Sequence, residues 1–114
     1  MSKKRDPKLY LKDILDAIAR IEDYTKDLSF EEFSKNNLVV DAVVRNFEII
    51  GEASKNIPHQ IKSLYPDIPW KEMAGMRDKM IHEYFGIDLE IVWQTVKTRL
   101  SQLKSLLSDI YNSG

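Results

Sequence analysis

Apolar residues recur at three- and four-residue steps along almost the whole chain, and that period leaves little choice of secondary structure. Leu11, Ile14, Leu15, Ile18 and Ile21 fall on one stripe of a helix predicted from Pro7 to about Leu28. Val39, Val40, Val43, Val44, Phe47, Ile50 and Ala53 form a wider face on a helix from about Leu38 to Ile57, stopped by Pro58. Asp41 and the unbroken continuation through Phe47 and Ile50 favour this helix over a strand at 38–44. Its Val and Ile residues lose rotamer freedom in a helix, so packing must hold the segment. Trp70, Met73 and Met76 keep the period after Pro69, in a helical stretch running to about Phe85 before Gly86. Leu89, Val92, Trp93, Val96, Leu100, Leu103, Leu107 and Ile110 define one last helix, capped by Asp88 and ending near Ile110.

Local signals divide these segments. Ser29-Phe30-Glu31-Glu32 reads as a capping box that starts a short helix carrying Phe30 and Phe33. Asn36 or Asn37 suits the cap of the next helix. His59 to Tyr65 reads as a short helix or turn, and Pro69 suits a first helical turn. The 4 Gly and 4 Pro are taken as segment edges. The expected fold is an all-α antiparallel helical bundle, with four main helices and about two short extra ones. Residues 1–114 form one domain.

Composition bears on function mainly by exclusion. At 43% hydrophobic the chain is not intrinsically disordered. Its 18 acidic and 17 basic side chains, net charge -1, exclude a uniformly basic nucleic-acid coat. A basic cleft survives that test, because binding follows charge distribution. Cysteine is absent, which removes disulfides, thiolate nucleophiles and cysteine zinc sites, and fits a reducing cytoplasm. No stretch nears the roughly 20 apolar residues of a membrane span. Asp6 and Pro7 follow Met1-Ser2-Lys3-Lys4-Arg5 where a signal peptide needs an apolar run. The expected location is therefore cytoplasmic, with no membrane association.

Chemistry concentrates in Arg77-Asp78-Lys79-Met80-Ile81-His82-Glu83-Tyr84. Asp78 and His82 are four apart and share a helix face, so the carboxylate can fix the imidazole tautomer. Arg77 and His82 are offset by about 140° on a straight helix. They converge on one atom only if the helix bends near Tyr84 or a second copy faces the first. Arginine offers forked donors to a phosphate, and histidine moves a proton near neutral pH. Together they suffice for metal-free RNA cleavage, in which the 2′-OH attacks phosphorus and the 5′-oxygen leaves with a proton. The plainer reading is a solvated face with local ion pairs such as Lys79–Glu83. Tyr84 alone reads as a packing aromatic with a wet hydroxyl, and Trp93 and the methionines read as core. His59 reads as an exposed loop histidine. Arg45 and Asn46 interrupt an apolar face, with structural roles favoured over catalytic ones. No metal site is expected, since His82 has no second histidine at ligand spacing, and no phosphate-binding glycine loop is present.

This segment resembles the R-x4-H-x-Y signature of HEPN-domain proteins. The chain as a whole is similar to their HepT subgroup, the toxin half of HEPN/MNT toxin–antitoxin pairs. The likeness includes Asp41-Ala42-Val43-Val44-Arg45-Asn46-Phe47-Glu48-Ile49-Ile50-Gly51-Glu52-Ala53 and the lead-in Ile68-Pro69-Trp70-Lys71-Glu72-Met73-Ala74-Gly75-Met76. The resemblance implies a homodimer with both motifs lining one cleft. It implies metal-independent ribonuclease activity without a cofactor, with Arg77 and His82 catalytic and Asp78 supporting. It also implies neutralisation by a minimal nucleotidyltransferase antitoxin that transfers AMP to Tyr84. A non-catalytic HEPN module, binding nucleotide or serving as an adaptor, is the rival reading. It predicts binding without RNA turnover.

Overall fold

The computed structural model describes residues 5–83 and 89–113, with the side chains of all but 79–83. Among these residues every regular element is a helix: α1 Pro7–Thr25, α2 Phe30–Lys35, α3 Asn37–Lys55, α4 His59–Leu64, α5 Trp70–Glu83, α6 Leu89–Thr98 and α7 Leu100–Ser113. The all-α expectation holds.

The helix starts follow local chemistry. Asp6 accepts from the Lys8 amide at 2.9 Å, and Pro7 occupies the first turn of α1. The capping box at α2 is complete: Ser29 Oγ accepts from the Glu32 amide at 3.1 Å, and Glu32 accepts from the Ser29 amide at 3.0 Å. Of the two candidate caps for α3, Asn36 acts, accepting from the Val39 amide at 3.1 Å. Pro69 lies one residue before α5, and its carbonyl accepts the first bond, from the Met73 amide at 3.0 Å.

Four expectations are corrected. The last helix runs on to Ser113, past the end expected near Ile110. α1 ends at Thr25 rather than near Leu28, where the Lys97 ammonium donates to the Thr25 carbonyl at 3.3 Å. The single long C-terminal helix is two helices meeting at Arg99. Thr95 and Thr98 hydroxyls donate back to the carbonyls of Ile91 and Gln94, at 2.9 and 2.7 Å, which bends helices without glycine or proline. The backbone ladder still bridges the junction, through Arg99 N to Thr95 O and Leu103 N to Arg99 O, both 3.0 Å. Finally, Gly51 and Gly75 lie inside α3 and α5 and mark no edge.

The core sits around α3, which packs on α1 and α5 and touches α2, while α7 closes on α1. Ile14, Ile18 and Ile21 of α1 meet Val43, Phe47 and Ile50 of α3 in the fully buried centre, with Leu100, Leu103 and Leu107 of α7. Met73, fully buried, and Met76, nearly so, belong to the same core, so the apolar stripe of α5 faces inward. Trp93 is half-buried, its ring 5.0 Å from that of buried Phe33. Burying this many large aliphatic side chains supplies about 1.5–3 kcal/mol each, relative to exposure, and this offsets the modest helix propensity of α3. No helix among the described residues is long and apolar enough to cross a membrane.

Candidate active-site surface

Arg77 lies on α5 beside the buried Met73 and Met76, at the point where α5 passes α3. The passage is close enough to require glycine. A Cβ on Gly51 would overlap the Arg77 amide nitrogen and Cβ, and would lie 2.9 Å from the Arg77 Cα. The position of Arg77 is thus set by backbone-to-backbone contact between two helices.

Its guanidinium emerges half-exposed and is paired across the same crossing. Arg77 Nε lies 2.8 Å from Glu52 Oε2, and Arg77 Nη1 donates to Asp78 Oδ1 at 3.3 Å. Lys55 donates to both oxygens of Asp78, at 2.9 and 3.1 Å. Glu52 and Lys55 of α3 therefore hold the consecutive Arg77 and Asp78 of α5 by opposite charges. All four are partly solvated, so the pairs act on geometry more than on stability.

Arg45, Glu48, Ile49, Glu52 and Arg77 line an open groove of about 330 Å³. A second hollow of about 270 Å³ continues it along α3, lined by Asp41, Val44, Arg45 and Glu48. The two hollows share Arg45 and Glu48, and together they set two arginines, Arg45 and Arg77, among three carboxylates, Asp41, Glu48 and Glu52. Arg45 is exposed on the groove wall. Asn46, its neighbour, turns inward: it is 5% exposed, accepts from Arg20 Nε at 2.8 Å and donates to the Ala42 carbonyl at 2.8 Å. The structural role expected of Asn46 is what the structure gives it.

Asp78 meets Arg77 and Lys55. The expected Asp78–His82 pairing involves a side chain outside the described residues, as do the Lys79–Glu83 pair and everything concerning Tyr84, Gly86 and Asp88. His59 is exposed as expected. It opens α4 rather than sitting in a loop, and its Nε2 is 3.2 Å from Ser63 Oγ. Among the described residues no group of three or more acidic or histidine side chains is arranged to hold a metal ion.

Sequence reasoning missed Gly51, Glu52 and Lys55 as partners of the motif. The available signal was Gly51 itself, a glycine inside a strongly periodic helix, which marks close approach of another backbone.

Residues 14–110 match the ribonuclease HepT-like family. A Thermococcus cleftensis protein named "Probable ribonuclease HepT" is 54% identical over 101 residues, covering 89% of this chain and 92% of the relative. A Methanocaldococcus jannaschii protein provisionally named as an RNase is 50% identical, covering 89% of this chain and 87% of the relative. A third such protein, from Caldanaerobacter subterraneus, is 42% identical over 106 residues, covering 93% and 95%. No solved structure matches the chain. The match spans all of α3 and α5, the two helices that build the Arg77 surface, and on it the chain belongs to the ribonuclease HepT-like family.

Proposed function

We propose that this protein is a metal-independent ribonuclease, the toxin of a toxin–antitoxin pair, with Arg77 and His82 as catalytic residues. The observation that carries the reading is the half-exposed Arg77 guanidinium, fixed at the rim of an open groove in a chain of the HepT-like family. Relatives named as ribonucleases support it. Arg77 binds the scissile phosphate and offsets charge that develops on its oxygens. His82 of one copy takes the proton of the ribose 2′-OH as that oxygen attacks phosphorus. His82 of the second copy, protonated, gives a proton to the departing 5′-oxygen. The products are a 2′,3′-cyclic phosphate and a 5′-hydroxyl, and the two imidazoles exchange protonation states. Arg77 and His82 diverge by about 140° on one straight helix, so the reading takes a second copy facing the first, rather than a bend near Tyr84, as the way the two meet at one phosphate. Asp78 supports Arg77 through the 3.3 Å contact and holds the site's geometry.

The proposed regulation acts on the same motif. A minimal nucleotidyltransferase joins the Tyr84 oxygen to the α-phosphorus of ATP and releases pyrophosphate. The resulting AMP adds bulk and negative charge to the motif that carries Arg77, and this opposes binding of an RNA phosphate.

The test is cleavage of a short RNA by the purified protein in EDTA. Wild type leaves a cyclic phosphate end, and a 2′-O-methyl substrate is inert. His82→Ala retains the fold and loses turnover and toxicity. An alanine variant as active as wild type defeats the mechanism. Binding of nucleotide without any RNA turnover favours the adaptor reading instead. Mass spectrometry of the chain co-expressed with its neighbouring reading frame tests the partner: added mass in AMP units on Tyr84 supports it, and unmodified Tyr84 in a stable complex opposes it.

A further inference from the structure

We infer that Glu52 is a positioning residue for Arg77, selecting the guanidinium orientation in which its terminal nitrogens meet the RNA phosphate. The inference rests on the proposed ribonuclease reading and deepens it. Glu52 takes Nε, at 2.8 Å, the nitrogen on the stem side of the guanidinium. Asp78 takes one edge through Nη1 at 3.3 Å. Among the described residues Nη2 has no such contact, and Arg77 is one of the residues lining the groove. An arginine stem carries four rotatable bonds, and an unheld guanidinium on a surface helix samples many orientations. Fixing Nε removes most of them while leaving the fork that suits a phosphate.

Glu52 is well placed to do this because it is the residue after Gly51. Gly51 brings the α3 backbone against Arg77 itself, so the next side chain of α3 needs no long reach to the base of the arginine. The Lys55–Asp78 pair, three residues further along α3, holds the neighbouring carboxylate at 2.9 Å. Asp78 is thereby shared between Lys55 and Arg77.

This arrangement has a cost in affinity, which supplies its signature. Glu52 is an anion beside a phosphate site, and it weakens attraction for RNA. Its removal should therefore leave KM unchanged or lower while turnover falls. A carboxylate that merely ties two helices together produces no such opposition.

The experiment measures kcat and KM on a short RNA for wild type, Glu52→Ala, Glu52→Gln, Arg77→Lys and the Glu52→Ala/Arg77→Lys pair. Unfolding midpoints are followed alongside. Glu52→Ala is expected to lower kcat about 10–100-fold, the scale of a small misplacement of a catalytic group, with KM no higher than wild type. Glu52→Gln keeps the length of the side chain but not the charge of the ion pair and should recover only part of the rate. In the Arg77→Lys background, which has no Nε, Glu52→Ala should add no further loss. Wild-type turnover in Glu52→Ala overturns the inference, as does an equal loss in both backgrounds. If alanine impairs folding, Glu52→Met keeps the length without the acceptor and carries the same comparison. If wild type itself cleaves no RNA, the ribonuclease reading falls, and the Arg77 Nε–Hε NMR resonance still decides the positioning claim. That resonance, identified by its loss in Arg77→Lys, should move towards the free-arginine position in Glu52→Ala, and an unmoved resonance overturns the claim.

Discussion

Gly51 and Arg77 touch backbone to backbone: α3 reaches α5 at the residue proposed to bind phosphate, and only a side chain of hydrogen fits between them. Gly51→Ala forces the helices apart and is expected to cost about 1–3 kcal/mol, read from urea unfolding. Gly75 gives the opposite outcome. It lies exposed inside α5, a Cβ there meets nothing within 4 Å, and its φ is not positive. Gly75→Ala should stabilise by roughly 0.5–1 kcal/mol through helix propensity. An identical response at the two glycines would contradict the crossing described.

Asn46 joins α1 to α3 through Arg20 while satisfying its own helix at Ala42. Asn46→Ala removes both bonds from a buried position and is expected to destabilise by about 1–2 kcal/mol. Arg20→Ala should cost less, because the Asn46 amide keeps its bond to Ala42. Chemical denaturation of the two variants checks the order.

The Glu32 carboxyl sits below the usual glutamate range because its charged form accepts from the Ser29 amide and is further held by the Ser29 side chain. A group with a lowered folded pKa contributes stability above its unfolded value, and loses it as pH falls through the folded one. The α2 capping box should therefore hold at neutral pH and weaken only below about pH 4. Carboxyl NMR titration of Glu32 checks this; a Ser29→Ala variant removes the side-chain contribution but keeps the backbone amide, so it should relieve only the lesser part of the shift.

Arg77→Ala should lower kcat about 100–1000-fold, the scale of removing one donor to a developing oxyanion. Wild-type turnover should be the same with and without EDTA. Activity restored only by a divalent cation would oppose the proposed chemistry.

The elements were readable because their signals are local. Ile14, Ile18 and Ile21 announce their burial by spacing alone, and Ser29 and Glu32 announce their helix start within four positions. The break at Arg99 escaped because no glycine or proline marks it; the Thr95 and Thr98 hydroxyls that bond back to the helix beside it carry no breaker signal. The site was legible only in part for the same reason. Arg77 and Asp78 stand out in the motif, but Glu52 and Lys55 meet them from another helix, and nothing in a one-dimensional charge pattern pairs residues 52 and 77. Asn46 was separable from Arg45 only once the helix had a direction: one faces Arg20 and the core, the other the groove.

The Gly51 crossing also acts as a fulcrum. From Arg77 the α5 axis rises about 7.5 Å to position 82 at 1.5 Å per residue, so tilting the helix by about 10° at the crossing swings that position by about 1.3 Å. Catalytic groups tolerate only about 0.5 Å of error. Packing quality at one glycine is thereby converted into aim at the far end of the motif. Substitutions that loosen Met73 or Met76, though these side chains are buried in the core, should register first as lost turnover and only later as lost fold.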